Sequence, residues 1–173
     1  MLQIEETPPH FHARYDAVAK RYRYRIFTGP VVPPFIRPYV HHVRVRLDVA
    51  LMRREAACLK RRHDFQAFAR IGSGFRTTRT ISDVQVMRRG PELHIEVAGD
   101  GFLHTMVRSI AGTLLDVGRG RLPVGTIRRM LKTGDRRLAG TTAPAYGLTL
   151  VSVTYPEGRS SQGAYWYSQL LTV

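Results

Sequence analysis

The sequence has one cysteine, Cys58, in 173 residues. A lone thiol excludes a disulfide framework and a thiolate zinc site, since both need several cysteines at fixed spacing. The seven histidines do not make up for it. His10 with His12 and His41 with His42 form pairs that have no third ligand at useful spacing, so they read as surface residues and no metal is expected. Long apolar runs are also missing. No stretch approaches the ~20 residues of a membrane span, and the N-terminus lacks the charged-then-apolar pattern of a secretory signal. These absences suit a reduced, cytoplasmic setting. Internal repeats and low-complexity tracts are absent too.

Acidic residues are scarce. There are 13 Asp and Glu against 27 Lys and Arg, giving a formal net charge of +14 and a pI near 11.0. Only three of the basic residues are lysine. A G+C-rich genome would favour arginine over lysine codons, but it would not double basic residues over acidic ones. That balance lies outside the range of an ordinary enzyme of small metabolites and favours a polyanionic partner, RNA or DNA over a membrane surface. What the chain has in quantity is apolar: 43% hydrophobic residues are enough to fill one core, and the length suits one domain.

Leu2 and Ile4 alternate with polar neighbours like a strand end, and Pro8-Pro9 breaks it. Residues 17–27, AVAKRYRYRIF, alternate strictly, with Tyr22, Tyr24 and Ile26 on one side and Arg21, Arg23 and Arg25 on the other. Period two predicts a strand with one wall of rings and one of guanidiniums. A Pro-rich connection leads to a second alternating strand over 40–47, with Val43, Val45 and Leu47 inward. Asp48 caps a helix whose inward stripe is Met52, Ala56 and Leu59. HDFQAFA at 63–69 alternates again, and the glycine-containing stretch 71–80 carries Arg76 and Arg79. Residues 81–87 and 92–98 form the clearest hairpin. A short helix to Lys132 turns Val124, Ile127 and Leu131 inward. The nearly continuous apolar run 148–155 predicts a central strand, and the tail after Pro156 reads as frayed.

Between hairpin and short helix lies AGDGFLHTMVRSIAGTLLDVG, residues 98–118. After a Gly-Asp-Gly turn, Phe102, Met106, Ile110 and Leu114 recur at helical spacing, and Gly118 stands where a left-handed residue would end the helix. Arg108 breaks the apolar pattern. Two readings are open for it: a guanidinium snorkelling from the helix edge, or one placed to meet a carboxylate or phosphate. About six strands and three helices in this order predict an α+β domain, a mostly antiparallel sheet with helices on one face. The open face, with basic strand faces and exposed rings, would suit RNA backbone tracking and base stacking.

Five segments, in this order and spacing, carry a resemblance: PPHFHARYDAVAKRYRYRIF, HDFQAFA, RTTRTI, GDGFLHTMVRSIAGTLLDVG and APAYGLTLVSVTYP. Together they resemble the C-terminal part of TruA-type tRNA pseudouridine synthases, over nearly the whole chain to Pro156. The resemblance implies a pseudouridine synthase fold, tRNA as partner, isomerisation of anticodon-arm uridines to pseudouridine, no metal or organic cofactor, and a homodimer for the complete fold. It places the active-site tyrosine at Tyr22 and the basic partner of the catalytic Asp at Arg108. Phe102 and Leu103 would line the floor beneath the base, and Arg21, Arg23, Arg76 and Arg79 would contact the RNA. Asp100 falls where the family commonly has Asn, and its Gly-Asp-Gly setting reads as a turn.

One departure stands out. The family's nucleophilic Asp lies in a Gly-Arg-Thr-Asp motif, and that motif occurs nowhere in these residues. The expectation is therefore residues 1–156 as the C-terminal portion of such a fold, residues 157–173 as a tail, and the Asp-bearing portion absent, whether the chain is a fragment, a truncated frame or one half of a split enzyme. On that expectation the isolated chain is inactive. The alternatives are a catalytically inert RNA-binding module and a basic structural protein of ribosomal type, the latter disfavoured by the register of all five segments.

Overall fold

The computed structural model describes residues 6–70 and 76–156. The Leu2–Ile4 strand, the start of the glycine-containing stretch and the 157–173 tail lie outside the described residues. In chain order the elements are β1 (Ala19–Phe27), β2 (His41–His42), α1 (Val49–Ala57), β3 (Arg61–Asp64), β4 (Thr78–Arg89), β5 (Glu92–Gly99), α2 (Met106–Gly118), α3 (Thr126–Thr133) and β6 (Leu148–Thr154). Four short 3-10 turns connect them, at Pro34–Tyr39, Gln66–Phe68, Arg136–Leu138 and Ala145–Gly147.

The sheet runs β2-β1-β5-β4-β3, with β6 also on β1. Among the described residues only β1 and β2 pair in parallel. The mostly antiparallel α+β architecture is therefore the one expected. Alternation along the strands explains which face is covered. Tyr24, Ile26, Ile81, Val86, Leu93, Ile95 and Val97 share one core with Met106, Ile110 and Leu114 of α2 and Met52 and Ala56 of α1. Burial of that apolar surface, at about 25 cal/mol per Å², is what fastens the helices to the sheet. Asp48 caps α1 as expected, accepting from the Leu51 N–H at 2.9 Å.

Several expectations are corrected. The second strand stops at His42: Val43 and Leu47 are buried, but Val45 is 50% exposed. β2 reaches only Ile26 and Phe27 of β1, because β1 ends at Phe27: in the parallel register residues 44–47 would lie beside residues 29–32, which are not in a strand. β6 is an edge strand among the described residues, not a central one, and Leu150 is half exposed. In HDFQAFA the strand ends at Asp64, whose carboxylate accepts from the Gln66 N–H at 2.9 Å and turns the chain, so that Phe65, Ala67 and Phe68 are all buried. Val124 precedes α3 and is exposed.

α2 begins at Met106, not near Phe102. Asp100 is tied back to β4, its N–H donating to the Thr80 carbonyl at 3.1 Å and its carboxylate accepting from the Thr80 N–H at 3.0 Å. Thr105 then adopts a left-handed backbone, φ 64°. Gly118 lies inside the helix, and Gly120, φ 73°, is the left-handed residue beyond it. Gly118 serves close packing instead: a Cβ there would stand 2.7 Å from the Met52 sulfur.

The two walls of β1 meet different fates. Tyr24 is fully buried, so the rings face the core and not an open sheet surface. On the opposite face Arg23 pairs with Glu96 at 2.7 Å, Arg25 with Glu92 at 2.8 Å, Arg21 with Glu96 at 3.4 Å and Lys60 with Asp83 at 2.9 Å. Four cations meet three carboxylates, and the face is close to neutral. It also sets an acid limit. Burial would raise the Glu92 carboxyl, but hydrogen bonds from Arg25 and His94 and their charges outweigh it and hold it below the usual range. His94 is shifted down by burial, with Glu92 pulling it partly back.

A carboxyl depressed in the fold stabilises above its unfolded pKa and loses that stability as pH falls through its folded value. A histidine held neutral destabilises once pH drops below its unfolded value. Both act in one direction. Melting temperature should therefore fall in two stages on acidification, below about pH 6.5 and again below about pH 4.3, and Glu92→Gln should shrink the lower stage, to which Asp83, also held low, still contributes. A melting series in pH checks this, and a flat profile contradicts it.

Candidate active site

Four of the residues singled out by the sequence converge at one cleft of about 450 Å³, lined by Tyr22, Phe102, Leu103 and Arg108 with Arg14 and Leu148. Tyr22 comes from β1, at the point where the β1–β6 register slips between Arg21 and Tyr22. The extra residue of that slip, Val151, is on β6, so the bulge bends β6 beside Tyr22 while Tyr22 keeps its regular place opposite Val97 of β5. Phe102 stands edge-on to the Tyr22 ring, with centroids 5.2 Å apart and planes at 85°. Phe102 and Leu103 belong to the loop before α2, and their apolar side chains wall the cleft.

Arg108 is held at two points. Its backbone carbonyl accepts from the Ala143 N–H at 3.1 Å, and its Nε donates to the Ala143 carbonyl at 2.7 Å. Residues 140–143 that supply this clamp form a strap laid along α2. The Gly140 N–H donates to Thr113 Oγ1 at 3.1 Å and the Thr141 N–H to the buried Asp116 carboxylate at 3.0 Å. Gly112 has no room for a side chain, since a Cβ would run into the Thr141 carbonyl oxygen. Past the strap, the Tyr24 hydroxyl donates to the Pro144 carbonyl at 2.9 Å. Burial, then Tyr146, raises the Tyr24 hydroxyl far above an ordinary tyrosine, with Arg108 opposing, so it remains a proton donor. The chain then delivers Ala145 and Leu148 to the cleft wall.

With Nε committed, Arg108 keeps both terminal nitrogens for a ligand, the fork that suits a carboxylate. The ion pairs of the described residues do not involve it. Of the two readings for Arg108, a free snorkelling side chain does not fit a guanidinium anchored by a carbonyl.

The other arginines are not brought to this cleft. Arg21 and Arg23 lie on the opposite face of the sheet, paired with Glu96. Arg76 and Arg79 line a separate cleft with Arg62, against Asp100 and Gly101. Arg14 and Leu148 were missed as cleft residues. A signal existed for both, since each sits inside one of the five segments of the resemblance.

The tRNA pseudouridine synthase family model matches residues 59–156. Among curated relatives, tRNA pseudouridine synthase A of Legionella pneumophila is 43% identical over 154 residues, covering 88% of this chain and 59% of the relative. tRNA pseudouridine synthase A of Acetivibrio thermocellus is 43% identical, covering 88% and 63%. tRNA pseudouridine synthase A 2 of Clostridium tetani is 40% identical over 156 residues, covering 90% and 63%. These matches assign the chain to a class of RNA-modifying enzymes. The chain belongs to the tRNA pseudouridine synthase family. It spans about three-fifths of the length of the curated relatives it matches.

Proposed function

We propose that the chain supplies the tyrosine and arginine side of an active site that isomerises uridine in tRNA to pseudouridine. The observation that carries this reading is Arg108: a guanidinium anchored through Nε, with its fork free in a cleft beside an aromatic pair. The reaction breaks the bond between C1′ and N1 of the uracil and forms one between C1′ and C5. C5 gives up its proton and N1 gains one, so atoms balance without an oxidant or co-reactant. The target base must leave the stack to be reached. In this reading Tyr22 packs on it and its hydroxyl passes on the C5 proton, Phe102 and Leu103 form the floor, and Arg108 holds a nucleophilic carboxylate ionised and aimed. Arg76 and Arg79 contact the RNA. Arg21 and Arg23 bear on it only with the charge that Glu96 leaves them.

The nucleophile comes from outside these 173 residues. The complete enzyme works as a cytoplasmic homodimer without metal or organic cofactor. A second reading, an RNA-binding module without chemistry, has one observation in its favour: no Gly-Arg-Thr-Asp is present. Both readings expect the isolated chain to bind tRNA and to release no tritium from C5-labelled uridine. Turnover above background by the chain alone would contradict the need for an outside carboxylate.

A further inference from the structure

The charges of the molecule sort into two populations. Arg21, Arg23, Arg25 and Lys60 are paired with carboxylates on one sheet face. Arg62, Arg76 and Arg79 are in none of the ion pairs of the described residues, yet they converge on one cleft of about 370 Å³. Three elements bring them together. Arg62 of β3 lies in register with Thr80 of β4, Arg76 comes from the loop just before β4 and Arg79 from its start, and the Asp100-Gly101 turn after β5 closes the cleft. Three like charges gathered around a single carboxylate repel one another, and an anion relieves that repulsion.

The cleft is shaped for a compact, multiply accepting anion. Arg79 is immobilised before any ligand arrives, one terminal nitrogen donating to the Arg76 carbonyl at 3.0 Å and the Thr78 carbonyl at 2.7 Å. Thr78 and Thr80 line the same space. Gly101 keeps the wall low, since a Cβ there would stand 3.5 Å from Arg79 Nε. Asp100 is the one carboxylate in the lining, and one of its oxygens is already committed to the Thr80 N–H. Three guanidiniums against one carboxylate leave a net positive site.

Its position decides the ligand. Gly101 ends this cleft, and Phe102, the next residue, lines the cleft of Tyr22 and Arg108. Adjacent Cα atoms are about 3.8 Å apart, so a strand whose base enters one cleft has its backbone beside the other. We propose that Arg62, Arg76 and Arg79 form a phosphate subsite that grips the RNA backbone next to the uridine held by Tyr22 and Arg108. This rests on the RNA reading above and adds to it a site, a ligand group and a residue, Arg62.

The test is the affinity of an unmodified tRNA transcript for the full chain across a salt series. The variants are the double Arg62→Ala/Arg76→Ala, Asp100→Asn, and Arg89→Ala at the opposite end of β4. Arg62 and Arg76 are exposed and their side chains carry no hydrogen bond among the described residues, so the double variant keeps the wild-type melting temperature. The expected result is a log–log salt slope shallower by about 0.7, one phosphate contact on single-stranded RNA, with Arg89→Ala at the wild-type slope. Asp100→Asn retains an oxygen for the Thr80 N–H and should bind several-fold tighter. An unchanged slope in the double variant, or an equal loss in Arg89→Ala, overturns the subsite and leaves the RNA reading standing. A wild-type chain without salt-dependent tRNA binding overturns the RNA reading itself.

Discussion

Gly112→Ala will destabilise the chain by about 3 kcal/mol or more, although the residue sits in the middle of a helix where alanine is worth about 1 kcal/mol over glycine. The sign reverses because of what α2 faces. A Cβ at position 112 would collide with the Thr141 carbonyl oxygen, and the backbone carbon of Thr141 and the nitrogen of Ala143 also stand within about van der Waals contact of it. Neither side can retreat cheaply. The strap is fixed by Thr113, Asp116 and Arg108, and Ile110 and Leu114 press the helix into the core with no exposed surface. At about 2–4 °C per kcal/mol for a chain of this size, the melting temperature should fall by roughly 10 °C. Gly118→Ala is the internal comparison. Its Cβ would meet the Met52 thioether, a flexible side chain that can swing aside, so it should cost less. A thermal melt that finds Gly112→Ala neutral or stabilising would show that the strap does not bear on α2.

The second large effect is chemical. Arg108→Lys in a catalytically complete protein should lower kcat by on the order of 10²-fold, the scale of losing one oriented electrostatic partner, with little change in KM for tRNA. Lysine keeps the charge, so a role limited to attracting RNA would survive the change. What it loses is geometry. A guanidinium can spend Nε on the Ala143 carbonyl, at 2.7 Å, and still present two nitrogens to a carboxylate. An ammonium is a single point on a flexible stem and cannot hold both at once. No loss at all would mean that Arg108 acts by charge alone, and equal losses in kcat and in tRNA affinity would mean that it binds RNA and does not aim a carboxylate.

Much of this was legible in the sequence because local periodicity and the core coincide. The alternation of β1, the hairpin β4–β5 and the apolar stripe of α2 each face the same interior, so pattern and burial agree. Where pairing between distant segments decides, pattern fails. β6 is as apolar as a central strand, yet it ends the sheet among the described residues because only β1 offers it an edge. Residues 43–47 alternate like a strand, but in their parallel register the neighbour they would need lies past Phe27, where β1 has ended. Phe102 and Leu103 extend the helical spacing of α2 without belonging to it, since the Asp100–Thr80 ties and the left-handed Thr105 hold that loop apart from the helix. Their apolar character belongs to the cleft and not to the helix stripe.

The arginine wall of β1 shows the same limit in charge. Period two puts Arg21, Arg23 and Arg25 on one face, which a sequence shows. That Arg23 lies opposite Glu96, and that Arg25 reaches Glu92, depends on the register between β1 and β5. Arg76 and Arg79, which look no different in the sequence, are in no ion pair among the described residues. Arg108 was visible as an anomaly in an apolar helix, while its anchor, the Ala143 carbonyl, lies 35 residues away and has no signature of its own.

The most direct measurement is tritium release from C5-labelled uridine in tRNA by a chimera. In it, the part of the Legionella pneumophila relative that this chain does not cover is fused ahead of the chain. The result expected is turnover by the chimera, none by the chain alone, and a marked loss when Tyr22→Phe or Arg108→Lys is introduced. Release by the chain alone, or turnover of the chimera that is indifferent to both substitutions, would contradict the assignment of this cleft as half of the active site.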